Sequence, residues 1–89
     1  MKKIVSKNNS EIEPIIKRLD AMEKDQSISR FKIRNFELYG INLVKATFDS
    51  EKQIYLLKEL RNGHIYEFDN IDLASIEIYE VLHDLKLTF

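Results

Sequence analysis

The stretch FKIRNFELYGINLVKATF, residues 31–48, decides the fold. Residues 31–38 and 41–48 are apolar-rich runs of strand length on either side of Tyr39-Gly40, and Gly40 supplies the positive φ that a tight turn needs. The segment reads as a β-hairpin. A two-residue turn sets Leu38 against Ile41, Phe36 against Leu43, Asn35 against Val44, Arg34 against Lys45, Ile33 against Ala46 and Phe31 against Phe48. Side chains alternate along a strand. Phe31, Ile33, Val44, Ala46 and Phe48 then share one face, and Phe36, Leu38, Ile41 and Leu43 share the other. The apolar side changes at the same level on both strands. A paired bulge would also produce this pattern. The simpler reading packs the base of the hairpin into the core and leaves the other face of its tip as a contact surface.

A second hairpin follows, with residues 54–61 and 64–68 flanking Asn62-Gly63, the strongest short hairpin signal. It is apolar on both sides: Ile54, Leu56, Leu60 and Ile65 against Tyr55, Leu57, Tyr66 and Phe68. Helices bracket the two hairpins. Ser10 and Glu13 fit a capping box, and Pro14 then falls in the first turn, where it removes no helical hydrogen bond. Ile12, Ile15, Ile16, Leu19 and Met22 follow as one stripe. The last helix spans about residues 70–86, with Asp69 or Asn70 as its cap. Ile71, Ala74, Ile78, Val81, Leu82 and Leu85 form its core stripe, while Leu73, Ile76 and Tyr79 lie outside it. The order α-β-β-β-β-α predicts a two-layer α+β domain, a four-stranded antiparallel meander with both helices on one face. One domain is expected over residues 1–89: a flexible arm over 1–9, a folded core over 10–86 and a tail over 87–89.

The 89 residues are 44% hydrophobic and 33% charged, with a net charge of -1. That balance excludes a mainly disordered chain. No run approaches the ~18 apolar residues of a membrane span. The absence of cysteine removes disulfides, thiolate metal sites and thiol nucleophiles. Two glycines leave no room for a phosphate-binding loop. Met1-Lys2-Lys3 lacks the ~7–15 apolar residues of a secretory signal behind it, so a cytoplasmic protein is expected. Charge is uneven along the chain. Residues 1–34 carry nine basic and five acidic groups, and residues 35–89 carry five basic and ten acidic.

Candidate chemistry is sparse. Glu80, His83 and Asp84 lie close on the last helix, but such short clusters are common on polar helix faces, and no metal is expected there. Asp69-Asn70-Ile71-Asp72 lacks the ligand series of a calcium loop and reads as helix capping. Ser29, Ser75, His64 and His83 show no nucleophile signature. The expectation is therefore a small binding or regulatory module with no catalytic residue, cofactor or metal, an enzyme with a site between subunits being the least favoured alternative. Two surfaces remain. The surplus apolar groups Phe36, Leu38, Ile41 and Leu43, with Leu73, Ile76 and Tyr79, are expected to meet a second chain, because monomers rarely expose patches above ~600 Å². A symmetric homodimer is the commonest such arrangement, and an unidentified protein partner is the other occupant. In the regular register, Arg30, Lys32, Arg34 and Lys45 share a face bordered by Phe36. A basic sheet surface beside an aromatic suits a single-stranded nucleic acid, which is the rival reading.

Phe68-Asp69-Asn70-Ile71-Asp72-Leu73-Ala74-Ser75-Ile76-Glu77-Ile78-Tyr79-Glu80-Val81-Leu82 resembles the signature of the YkuJ family, small uncharacterised proteins of low-GC Gram-positive bacteria. Ile15-Ile16-Lys17-Arg18-Leu19-Asp20-Ala21-Met22 is similar to that family's opening helix. Arg34-Asn35-Phe36-Glu37 with Gly40 is similar to its first hairpin. The resemblance spans residues 15–85. It implies a compact, dimeric α+β domain with an antiparallel sheet, and it carries no activity, cofactor or site residue. The arm through Asn9 and the tail Lys86-Leu87-Thr88-Phe89 depart from the family.

Overall fold

The first turn forms where the sequence places it. Tyr39 and Gly40 both adopt left-handed backbone, with φ of 56° and 75°. Two positive φ values in a row make the turn type that matches the twist of the flanking strands. Leu38 pairs with Ile41 and Glu37 with Asn42. The next pair is Phe36 with Val44, so Leu43 is an extra residue on the second strand. This is a β-bulge, in which two residues oppose one. Its carbonyl is not left orphaned, since the Leu60 amide donates to it at 2.9 Å.

The computed structural model describes the backbone of residues 2–88 and the side chains of residues 11–85. The elements are α1 (Lys2–Lys24), β1 (Phe31–Leu38), β2 (Ile41–Asp49), β3 (Ile54–Glu59), β4 (Ile65–Phe68) and α2 (Ile71–Thr88). The four strands form one antiparallel sheet in the order β1-β2-β3-β4. This is the expected α+β meander. Both helices contribute to a single core that lies on one side of it.

The bulge corrects the expected register below the hairpin tip. Arg34 pairs with Ala46, Lys32 with Phe48 and Phe31 with Asp49. A one-residue slip exchanges the faces of every pair beneath it. Phe36, Val44, Ala46 and Phe48 therefore share the helix side and are buried. Phe31 and Ile33, expected in that core, lie on the opposite side at 46% and 57% exposure.

The second hairpin also departs from its expected turn. The strands end at Glu59 and resume at Ile65, and the Glu59 amide donates to the His64 carbonyl at 2.8 Å. Only Gly63 is left-handed there, at φ 77°. The Asn62 side chain accepts from the His64 amide at 2.8 Å and shapes a wider loop. The added residues are even in number, so the faces survive: Tyr55, Leu57, Tyr66 and Phe68 point to the helices, and Ile54, Leu56 and Ile65 point away.

Ile15, Leu19 and Met22 of α1 and Ala74, Ile78 and Leu85 of α2 are buried, as their stripes require. Asn70 is the cap of α2, its Oδ1 accepting from the Asp72 and Leu73 amides at 2.8 and 3.1 Å. The Tyr55 hydroxyl donates to the Glu23 carboxylate, which ties the end of α1 to β3. The expected start of α1 at Ser10 is corrected to Lys2. Residues 2–9 contain no glycine or proline to stop a helix, so a local capping pattern is overrun. Pro14 then sits inside the helix and leaves the Ser10 carbonyl without its residue-14 donor. The expected arm over 1–9 lies within α1 from Lys2 and the expected tail over 87–89 within α2 as far as Thr88, while Met1 and Phe89 fall outside the described residues.

Candidate functional site

The sheet has one face covered by helices and one face open. On the open face the pairings build three rows: Phe31–Asp49–Ile54, then Ile33–Thr47–Leu56–Glu67, then Asn35–Lys45–Lys58–Ile65. An open antiparallel face normally carries polar residues. Here Phe31 and Ile33 of β1 and Ile54 and Leu56 of β3 flank Asp49 and Thr47 of β2, an apolar band interrupted at its centre by polar residues, with Ile65 (63% exposed) beyond it. The β1 half of this band is created by the bulge, which turns Phe31 and Ile33 outward.

One end of this face is fixed by an ion pair. Arg30 donates through Nε and Nη2 to the two oxygens of Asp49, at 2.8 and 2.9 Å. Such a two-pronged pair restrains both side chains in one plane. The Glu51 and Lys52 amides also donate to Asp49, at 3.0 and 3.2 Å. The Arg30 guanidinium, followed by these backbone donors, holds the Asp49 carboxyl down at about 2. Arg30 further lies over the Phe31 ring at 4.9 Å. The charge is spent locally, and the Phe31 end of the band is preorganised.

The expected basic face does not assemble. Lys32 and Arg34 are on the helix side of β1, while Lys45 pairs with Asn35 on the open face. Lys32 is buried along its stem at 8% exposure, in a cleft of about 290 Å³ that Met22, Asp25 and Ser27 also line. Arg30 is committed to Asp49 and Glu51. The four cations thus occupy two faces, because the bulge moves β2 by one residue. The single-stranded nucleic-acid reading loses the geometry on which it rested.

The expected association surface is also corrected. Phe36 and Leu43 are core residues at 1% exposure. Leu38 and Tyr79 are half-buried and packed on the core. Ile41, Leu73 and Ile76 are exposed, at 46%, 53% and 42%. The sequence reading missed Phe31 and Ile33 as surface residues. Their outward position follows from the unpaired Leu43, which leaves Leu43 and Val44 both buried on one strand, and no local sequence pattern marks it.

A polar cleft of about 370 Å³ lies between the hairpin ends and α2, lined by Leu43, Glu59, Arg61, Asn62, Val81 and Asp84. Beside it Glu77 shares a hydrogen bond with Glu59. That bond, then burial, then the charges of Glu59 and Glu80, raise the Glu77 carboxyl to about 7. On α2 the Tyr79 and His83 rings stack at 5.4 Å. Among the described residues no three His, Cys, Asp or Glu side chains converge as a metal site. Nor is any described helix long and apolar enough to cross a membrane.

This architecture defines a small α+β protein whose meander sheet is sealed by two terminal helices on one side and open on the other. The chain belongs to the family described as "protein of unknown function (DUF1797)", whose model matches residues 15–82. It is 31% identical over 77 residues to the uncharacterised protein YkuJ of Bacillus subtilis strain 168, covering 82% of this chain and 98% of that one. The X-ray structure of Bacillus subtilis YkuJ superposes with a TM-score of 0.76 at 30% identity, again over 82% and 98% of the two chains. The resemblance drawn from residues 15–85 is thereby established, together with the fold it implied.

Proposed function

We propose that the protein is a non-catalytic binding or regulatory module of the cytoplasm that works as a homodimer. The observation that supports this reading is the presence of apolar surface on both layers. The sheet layer exposes Phe31, Ile33 and Ile65, and the helix layer exposes Leu73 and Ile76. A single-layer explanation accounts for one such surface only. Two surfaces suit a protein that pairs with itself through one and meets a protein partner through the other. The family's description assigns no reaction, and the reading takes no catalytic role from it.

The test is the solution mass by sedimentation equilibrium across a micromolar concentration series. The expected result is twice the 10.6 kDa of one chain. A mass of one chain throughout the series overturns the homodimer.

A further inference from the structure

The open sheet face bears on which surface joins the two copies. This step rests on the homodimer reading above and makes it specific. Two sheets can join by their edges or by their faces. Edge joining is guarded here. β1 is the longer edge strand, and it turns the charged Lys32 inward toward the core. An inward charge on an edge strand opposes the flat pairing that an added strand needs. The opposite edge, β4, is only four residues long. The face has neither defence.

The charges of the face indicate its occupant. Among its strand residues, Lys45 and Lys58 are matched in number by Glu37 and Glu67, and Arg30, just before β1, is neutralised by Asp49. Lys45 and Lys58 stand directly opposite each other across β2 and β3, a like-charge pair that is unfavourable without an anion nearby. A uniformly acidic partner would satisfy the lysines and repel Glu37 and Glu67. A surface carrying the same two lysines and two glutamates beside the same apolar band meets both demands, and a second copy offers that surface.

Size is consistent with this. Four strands at ~4.8 Å spacing and six residues at ~3.3 Å give a flat area of roughly 400 Å². Side-chain relief raises the accessible area toward the ~600 Å² per partner that the smallest specific interfaces bury. We infer that two copies pack open face to open face, Phe31, Ile33, Ile54 and Leu56 meeting their counterparts in a four-layer α/β/β/α sandwich. The sheets would then stack ~10 Å apart, the usual separation in β-sandwiches. The Leu73–Ile76 surface of α2 stays outside, free for a different protein.

The experiment compares three full-length proteins by sedimentation equilibrium: the natural chain, Ile33→Asp with Leu56→Asp, and Leu73→Asp with Ile76→Asp. The natural chain and the α2 variant are expected at two-chain mass and the open-face variant at one-chain mass. A two-chain mass for a folded open-face variant overturns the inference, as does a mass halved only by the α2 changes. In either case the homodimer reading still stands. A one-chain mass for the natural protein removes both. Because Leu56 is half-buried, hydroxyl-radical footprinting of the natural chain supplies a second readout. Phe31, Ile33 and Ile65 should become protected as concentration rises, while Leu73 and Ile76 do not. The reverse protection pattern refutes face-to-face packing whether or not the variants fold.

Discussion

Gly40 holds φ at 75° with no atom near the place a Cβ would occupy. An alanine there meets no steric neighbour, so its cost comes from the left-handed backbone alone. Gly40→Ala should lower unfolding stability by about 1–2 kcal/mol, read by urea titration. Asp49 carries a different kind of dependence. Its carboxyl titrates below its ordinary value of 3.8 because Arg30 and two amides favour the charged form. The unfolded chain therefore binds a proton before the folded one does. The stability that Asp49 supplies is complete above about pH 4 and is lost as pH falls toward 2. Asp49→Asn should be less stable at pH 7 and show a flatter acid limb between pH 4 and 2, measured by thermal unfolding across that range. Glu77 has the opposite sign. Its carboxyl is raised from 4.5 to about 7, so the folded state holds the extra proton. Stability from that proton is full below pH 4.5 and fades as pH rises through 7. Glu77→Gln keeps a donor beside Glu59 at every pH. It should cancel most of the loss between pH 5 and 8, and an unchanged slope in that window would show that the two carboxyls do not share a proton.

At the scale of elements, alternation and turn residues made most of the fold readable. The turn at Tyr39-Gly40, the stripe of α2 and the cap at Asn70 all follow from local chemistry that the chain states outright. The two hairpins show why the surfaces were less readable. The β3–β4 loop is longer than its Asn-Gly signal suggests, yet Tyr55, Leu57, Tyr66 and Phe68 keep their face because the change is even. A single extra residue at Leu43 is odd, and it sends Phe31 and Ile33 outward and Lys32 inward. Face assignment depends on parity, and parity depends on whether one residue is paired. Nothing local at Leu43 announces that. The bulge is tied from outside its own hairpin, by the Leu60 amide just past the end of β3. The candidate surface inherited this uncertainty. On α2, Leu73 and Ile76 are exposed as expected, whereas Tyr79, expected beside them, packs on the core.

Seen whole, the molecule is a meander closed by its own ends. Each strand pairs with its neighbour in sequence, through a short connection. α1 and α2 instead come from opposite ends of the chain and pack against each other. Residues 25–70 lie between the two helices, so their meeting costs roughly 2 kcal/mol more loop-closure entropy than a four-residue hairpin loop. This separation predicts an order of events. The hairpins are the cheap contacts and belong in the folding transition state, whereas the helix layer closes after it. Leu19, fully buried on α1, then reports on the late step. Leu19→Ala should cost about 2–5 kcal/mol of stability. Stopped-flow chevrons should show that loss almost entirely as faster unfolding, with the refolding rate nearly unchanged. Leu57→Ala, at the centre of the sheet, should slow refolding as well. A protein sealed by its two termini opens first where it closed last, and its helix layer is the part that lets go.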